Sequence, residues 1–200
     1  MKYTGPKVKI SRKLGLNLTP KAGKVTQKKP YPPGQHGNSR RRGKMSDFGR
    51  QLLEKQRLRL QFNLSEKQMR KVYEEATRLT GNTADLMIQL AESRLDSVVH
   101  RAGLASTIYA ARQYVSHGHV YVNGKRVNVP SYQVKVNDEV AIKEKSQKLE
   151  CFQEAIRNAS PPAYLELSKA DFKVTYAYVP AREEIPVESE TSLVVEYYSR

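Results

Sequence analysis

Between Glu92 and Ile142 the hydrophobic period of the chain switches from that of a helix to that of a strand, and this restricts the possible folds more than any other feature. Leu95, Val98, Val99 and Ala102 recur at helical spacing, and Gly103 follows where a left-handed C-cap is wanted. Ser106 or Thr107 is placed to cap a second helix that buries Ile108, Ala111 and Val115 and ends at Gly118. From His119 to Val127 the period is two. Asn123-Gly124 predicts a type I′ turn, which needs positive φ at both central positions. That turn sets the register: Val122 opposite Lys125, Tyr121 opposite Arg126, Val120 opposite Val127. Tyr121 and Arg126 then share one face of the hairpin. Val134, Val136, Val140 and Ile142 predict a further pair of strands, turning at Asn137-Asp138.

The unit is thus helix, short loop, helix, hairpin. Arg94 and, from the second helix and hairpin, Arg112, Gln113, Ser116, His117, His119, Tyr121, Asn123, Lys125 and Arg126 are its candidate contact residues. Cations, amides and flat rings on a small apolar support suit phosphate contact and base stacking on folded RNA. The stretches RLDSVVHRAG, ARQYVSHGHVYVNGKRV and PSYQVKVNDEV resemble the small RNA-binding module named after small-subunit ribosomal protein four. That module also occurs in tRNA synthetases, pseudouridine synthases and a heat-shock RNA-binding protein, so alone it leaves the function open. The resemblance departs at one turn: Ile108 and Tyr109 follow Thr107 where family members carry basic residues.

Charge narrows the reading. The chain carries a formal net charge of +15, and its first 60 residues hold 17 Lys and Arg against only Asp47 and Glu54. Such a concentration is the footprint of a polyanion binder. A membrane surface fits less well, because the segment lacks an amphipathic apolar face. Residues 1–45 are expected to be a basic extended arm. Gly and Pro interrupt it throughout, and Ile10, Leu14, Leu16 and Leu18 are too few to make a core. Lys2, Lys7, Arg12, Lys13, His36, Arg40, Arg41, Arg42 and Lys44 are its candidate RNA contacts.

Ser46 is expected to open a helix through about Phe62, with Leu53 and Leu60 buried and Arg50, Lys55, Arg57 and Arg59 offered to RNA. Ser65 and Gln68 form a capping box, flanked by Leu64 and Met69 as a hydrophobic staple. Met69, Val72, Tyr73, Ala76 and Leu79 follow as one stripe, leaving Lys67, Arg70 and Lys71 off it. Another helix bears Leu86, Met87 and Leu90. Beyond the module, Leu149, Phe152, Ala155 and Ile156 predict a short helix stopped by Pro161-Pro162. Tyr164–Leu167 and Phe172–Val179 predict strands, the second with Phe172, Val174, Tyr176 and Tyr178 on one face. SLVVEYYSR is periodic either way and is left unassigned. The expected fold class is α+β: a helical domain at 46–91, and a second domain at 92–185 containing the module at 92–145.

TGPK and YPPGQHGNSRRRGKMSDFGRQLLEKQRLR resemble the opening of the bacterial family of small-subunit ribosomal protein four, and the resemblance covers nearly all 200 residues. It implies a structural RNA-binding protein that takes the 5′ domain of small-subunit (16S-type) rRNA early in assembly. It further implies contact with ribosomal protein five of the same subunit, a place near the mRNA entry channel with Arg40, Arg41, Arg42 and Lys44 close to it, and an influence on decoding accuracy. By the same resemblance the C-terminal segment, 186–200, packs back on the early helices. Many family members hold zinc through Cys pairs in the arm. Here Val8 and Ser11 stand where the first pair falls and the chain's one cysteine is Cys151, so a zinc-free variant without cofactor is expected.

Catalysis has little support. His117 and His119 end a helix and start a strand, so their rings need not converge on a metal, and no third ligand is near in sequence. Arg94-Leu95-Asp96 resembles the short motif holding the catalytic Asp of pseudouridine synthases, but no contiguous segment remains for a catalytic domain, and the helix dipole explains Asp96. An RNA-modifying enzyme and a free RNA chaperone or regulator remain as alternatives. No apolar run approaches the ~18 residues of a membrane span, and MKYTGPKVKI lacks the apolar core of a signal peptide. A cytoplasmic location on the ribosome is expected.

Overall fold

The structure is a computed structural model that describes residues 3–39 and 45–200. Lys2, Arg40, Arg41, Arg42 and Lys44 lie outside the described residues. The fold is α+β. In chain order the described helices are α1 (Lys7–Leu14), α2 (Pro20–Lys28), α3 (Asp47–Gln61), α4 (Glu66–Arg78), α5 (Thr83–Glu92), α6 (Leu95–Arg101), α7 (Ile108–Ser116), α8 (Glu144–Gln147), α9 (Glu150–Arg157) and α10 (Thr191–Tyr198). The strands are β1 (Val120–Val122), β2 (Lys125–Arg126), β3 (Glu139–Ile142), β4 (Leu165–Ser168) and β5 (Lys173–Tyr176). Two compact units result: one runs through Ala84 and is completed by Val187–Arg200, and the other is Asp85–Pro186.

In the first unit the opening segment is not the unstructured arm expected. Its breakers fall largely at helix ends: Gly15, at φ 70°, closes α1, and Thr19 caps α2 by accepting from the Ala22 amide at 3.3 Å with Pro20 in the first turn. Leu14 and Leu16 are indeed too few to make a core alone, but Leu60 of α3 completes a small one, with Ile10, Leu18 and Leu53 packed against it. Ser46 caps α3, and the Ser65–Gln68 capping box opens α4 with Leu64 and Met69 buried beside it. The apolar stripe of α4 is shorter than its pattern, since the helix stops at Arg78 and Leu79 is left exposed.

The C-terminal segment that pattern left open is α10. It packs on α3: Gln51 donates to Glu196 at 2.8 Å, and the Glu54 carboxylate accepts from the Glu190 amide at 3.0 Å. Tyr198 stacks on Tyr73 at 5.1 Å and donates its hydroxyl to Glu66 at 2.8 Å. Burial raises the Glu66 carboxyl, but hydrogen bonds from Tyr198 and Lys55 and the charges of Lys55 and Arg59 outweigh it and hold the carboxyl below its ordinary value. A carboxyl depressed on folding stabilises the native state above its unfolded pKa, and that contribution disappears as pH falls through the folded value. The first unit is therefore expected to weaken on acidification below about pH 4.5. Glu66→Gln should flatten that limb of a pH-stability curve, and an unchanged acid limb would show that Glu66 does not carry it.

In the second unit a five-stranded antiparallel sheet has the order β2-β1-β3-β5-β4. Val120, Val122, Val140, Ile142, Val174, Tyr176 and Leu165 belong to one buried core with Leu95, Val98 and Val99 of α6 and Ala111 and Val115 of α7. Beside it Glu92 is fully buried, held by Arg101 at 2.7 Å and by the Tyr164 hydroxyl at 2.7 Å. The expected strand over Val134–Val136 does not form. Its amides are used elsewhere: Val134 N–H goes to Ser93 O and Lys135 N–H to the Asp138 carboxylate, both at 2.8 Å. Val136 is exposed, and β3 pairs with β1 and β5 instead. Strand β5 is also shorter than expected: Phe172 sits in a turn at φ 54° and Tyr178 is exposed. Leu149 lies outside the buried stripe of α9, which is Phe152, Ala155 and Ile156.

Candidate nucleic-acid interface

The hairpin is built as its turn requires. Asn123 and Gly124 take φ of 48° and 75°, and Tyr121 pairs with Arg126 and Val122 with Lys125. Asn123 has a structural role besides: it donates to Asp138 at 2.8 Å and accepts from the Glu139 amide at 2.9 Å, clipping the hairpin to β3. Thr107 caps α7 by accepting from Ala110 N–H at 3.1 Å. Gln113, Ser116 and His117 are exposed along and after that helix, and Lys125 and Arg126 are exposed on the hairpin. Tyr121 and His119 are half-buried.

Gly118 joins the helix to the hairpin at φ 73°, and a Cβ there falls 2.2 Å from the Arg126 Nε. The Arg126 side chain therefore lies across this turn, which only a glycine leaves open. Gly118→Ala is expected to cost about 1–2 kcal/mol through the left-handed backbone alone and to push Arg126 away. Urea unfolding measures the first effect, and wild-type stability in the variant would remove the argument.

Arg94 and Arg112 do not stand free on this surface. Asp96, fully buried, accepts from Arg94 at 3.0 and 2.8 Å and from Arg112 at 3.2 Å. Arg94 also reaches Pro130 O at 3.4 Å, so the cluster ties α6 and α7 to the loop before Val134. Burial lowers the Arg112 pKa, Asp96 opposes that shift, and Arg94 adds to it. Arg94 is only 3% exposed and is withdrawn from the proposed contacts.

The first unit sorts its cations likewise. Lys55 is buried, ion-paired with Glu66 at 3.0 Å and placed over the Tyr197 ring at 4.5 Å. Arg57 spans Leu14 O and Glu54 at 3.0 and 2.8 Å, and Arg59 bonds Gln56 at 3.0 Å. Arg12 holds Tyr31 O at 3.1 Å and lies over the Tyr31 ring, folding the segment after α2 back onto α1. Lys7 donates to Tyr3 O and also covers the Tyr3 ring. Arg50 is exposed beside Asp47. Lys13, His36, Lys67, Arg70 and Lys71 are exposed and make no ion pair among the described residues. Lys21, Lys24 and Lys28, on one face of α2, are exposed as well and were not singled out by sequence. Their three- and four-residue spacing is the signal, and it carries weight only once α2 is known to be a helix.

His119 accepts from or donates to the Ser146 hydroxyl at 2.9 Å through Nδ1. Burial lowers its pKa first, and His117, Lys143 and Arg126 lower it further. The rings of His117 and His119 are 6.2 Å apart, and no cluster of three metal-ligating side chains occurs among the described residues.

Residues 93–140 match the S4 domain family, and residues 2–92 match the ribosomal protein S4/S9 N-terminal domain family. The fold and its exposed basic surface are thus those of an S4-domain protein of ribosomal type. Over its whole length the chain is 48% identical to small ribosomal subunit protein uS4 of Geobacillus stearothermophilus, covering 99% of that protein. It is 48% identical to the Thermobifida fusca protein of the same name across the full length of both, and 50% identical to that of Granulibacter bethesdensis over 97% of each. The chain belongs to the uS4 family of small-subunit ribosomal proteins. That family is one of structural ribosomal proteins rather than enzymes, so the Arg94-Leu95-Asp96 likeness to a catalytic motif carries no chemistry. Among the described residues no helix is long and apolar enough to cross a membrane.

Proposed function

We propose that this protein is a structural constituent of the small ribosomal subunit, in the cytoplasm, and that it binds small-subunit rRNA without catalysis. The observation that carries the reading is the full-length match to uS4 proteins, which takes in the basic opening segment as well as the S4 domain. The exposed cations of α1, α2, α4 and the hairpin supply phosphate contacts, and the hairpin adds rings and amides. The finer reading is that it takes the 5′ domain of the rRNA early in assembly and touches ribosomal protein five. It then lies near the mRNA entry channel, with Arg40, Arg41, Arg42 and Lys44 toward it, and influences decoding accuracy. A nuclease or hydroxyl-radical footprint of the purified protein on small-subunit rRNA tests this directly. Protection concentrated in the 5′ domain and surviving excess bulk polyanion is expected, whereas uniform or fully competed protection overturns the proposal. Stoichiometric co-sedimentation with small subunits separates it from a free RNA chaperone, which stays at the top of the gradient.

A further inference from the structure

The side of the sheet opposite the core is not an ordinary solvated face. Strand register places Arg126, Tyr121, Ala141, Lys173 and Ser168 in one row across all five strands. A phenol ring thus lies beside a methyl side chain, with a cation at either end. The carbonyl of His119, two residues before Tyr121, accepts from the Lys143 amide at 2.9 Å and holds Lys143 beside β1. Tyr121, Ala141 and Lys173 of the row line an open concavity, whose walls bring Lys143 and Lys145 together with Glu139, Glu144 and Asp171.

The two ends of this row differ. At the β2–β1 end, Arg126 lies across Gly118, and both Arg126 and Lys143 are exposed and make no ion pair among the described residues. Two cations without an ion-pair partner among the described residues therefore stand at this corner. At the β3–β5 end, Lys173 is paired with Glu139 at 3.1 Å, with both side chains 46% exposed, so that end is neutral and rich in donors and acceptors. A flat ring between an anion-seeking corner and a neutral polar rim matches one nucleotide: the base on the ring, its edge toward the rim, its phosphate in the corner. Aromatic rings hold unstacked bases in this way, and an adjacent positive groove carries the backbone. Duplex RNA does not fit, because its bases are stacked and cannot reach a ring on a sheet face.

We infer that the Tyr121–Ala141 surface, with Arg126 and Lys143 beside it, binds one unpaired, splayed-out nucleotide of the RNA, as a contact face separate from the exposed residues of α7. The inference rests on the rRNA-binding reading above. Tyr121→Leu and Tyr121→Phe in the full chain test it, each checked for folding by thermal unfolding and each titrated with small-subunit rRNA and with a labelled oligoadenylate. Losing one base–ring stack is expected to weaken the Leu variant for both probes by about 5- to 150-fold, while the Phe variant stays within about 3-fold of wild type on the same basis. Arg126→Gln is expected to weaken oligoadenylate binding and to lower its salt slope by about 1. If wild type prefers rRNA over bulk polyanion but Tyr121→Leu binds both probes as wild type does, the nucleotide site is wrong and the rRNA reading stands. If wild type shows no such preference, the rRNA reading itself falls.

Discussion

Asp96→Ala is expected to destabilise the second unit by about 3–5 kcal/mol, because it strands two buried guanidinium groups without a counter-charge. The Asp96 carboxylate is fully buried and receives three hydrogen bonds from Arg94 and Arg112, which are 3% and 8% exposed. In water each guanidinium is fully solvated, so most of the cost is desolvation left unrepaid rather than the strength of any one contact. The same physics makes a second variant informative. Replacing Arg94, Asp96 and Arg112 together by apolar residues of similar volume removes all three charges and is expected to be close to neutral. Chemical unfolding of both variants decides the matter. A loss below about 1 kcal/mol for Asp96→Ala, or a triple variant as damaged as the single one, would contradict this account of the cluster.

Raising salt from about 50 to about 200 mM is expected to weaken binding to small-subunit rRNA by about 10³- to 10⁵-fold, if about 6–10 phosphates are neutralised. The structure separates the cations that can produce this slope from those that cannot. Arg70 and Lys71 are exposed on α4 and make no ion pair among the described residues, so replacing either by alanine should lower the log–log slope by about 1. The Lys55 side chain is 5% exposed and bonded to Glu66, so its replacement should leave the slope alone and reduce stability instead. A flat salt dependence, or a slope that Lys55→Ala lowers as much as Arg70→Ala does, counts against the proposed interface.

The module was legible because its signals are local. Asn123-Gly124 dictates a turn, the turn dictates register, and the register places Tyr121 opposite Arg126 whatever else the chain does. Caps at Ser46, Ser65 and Thr107 were legible for the same reason. What escaped were partnerships between distant segments. Leu14 and Leu16 look too sparse for a core until Leu60 is brought beside them. Val134–Val136 alternates like a strand, but the Ser93 carbonyl and the Asp138 carboxylate take its amides. Arg94 and Lys55 read as free cations, since a sequence does not display the buried carboxylate or aromatic ring each will meet. Charge density therefore identified the class of partner sooner than it identified the individual contacts.

Because α10 packs on α3, the first unit is completed by residues made only after the whole of Asp85–Pro186. A nascent chain can close the Asp85–Pro186 unit while the opening helices still lack their final neighbour. Synthesis of Val187–Arg200, not emergence of the opening helices, sets the moment from which the first unit can be native.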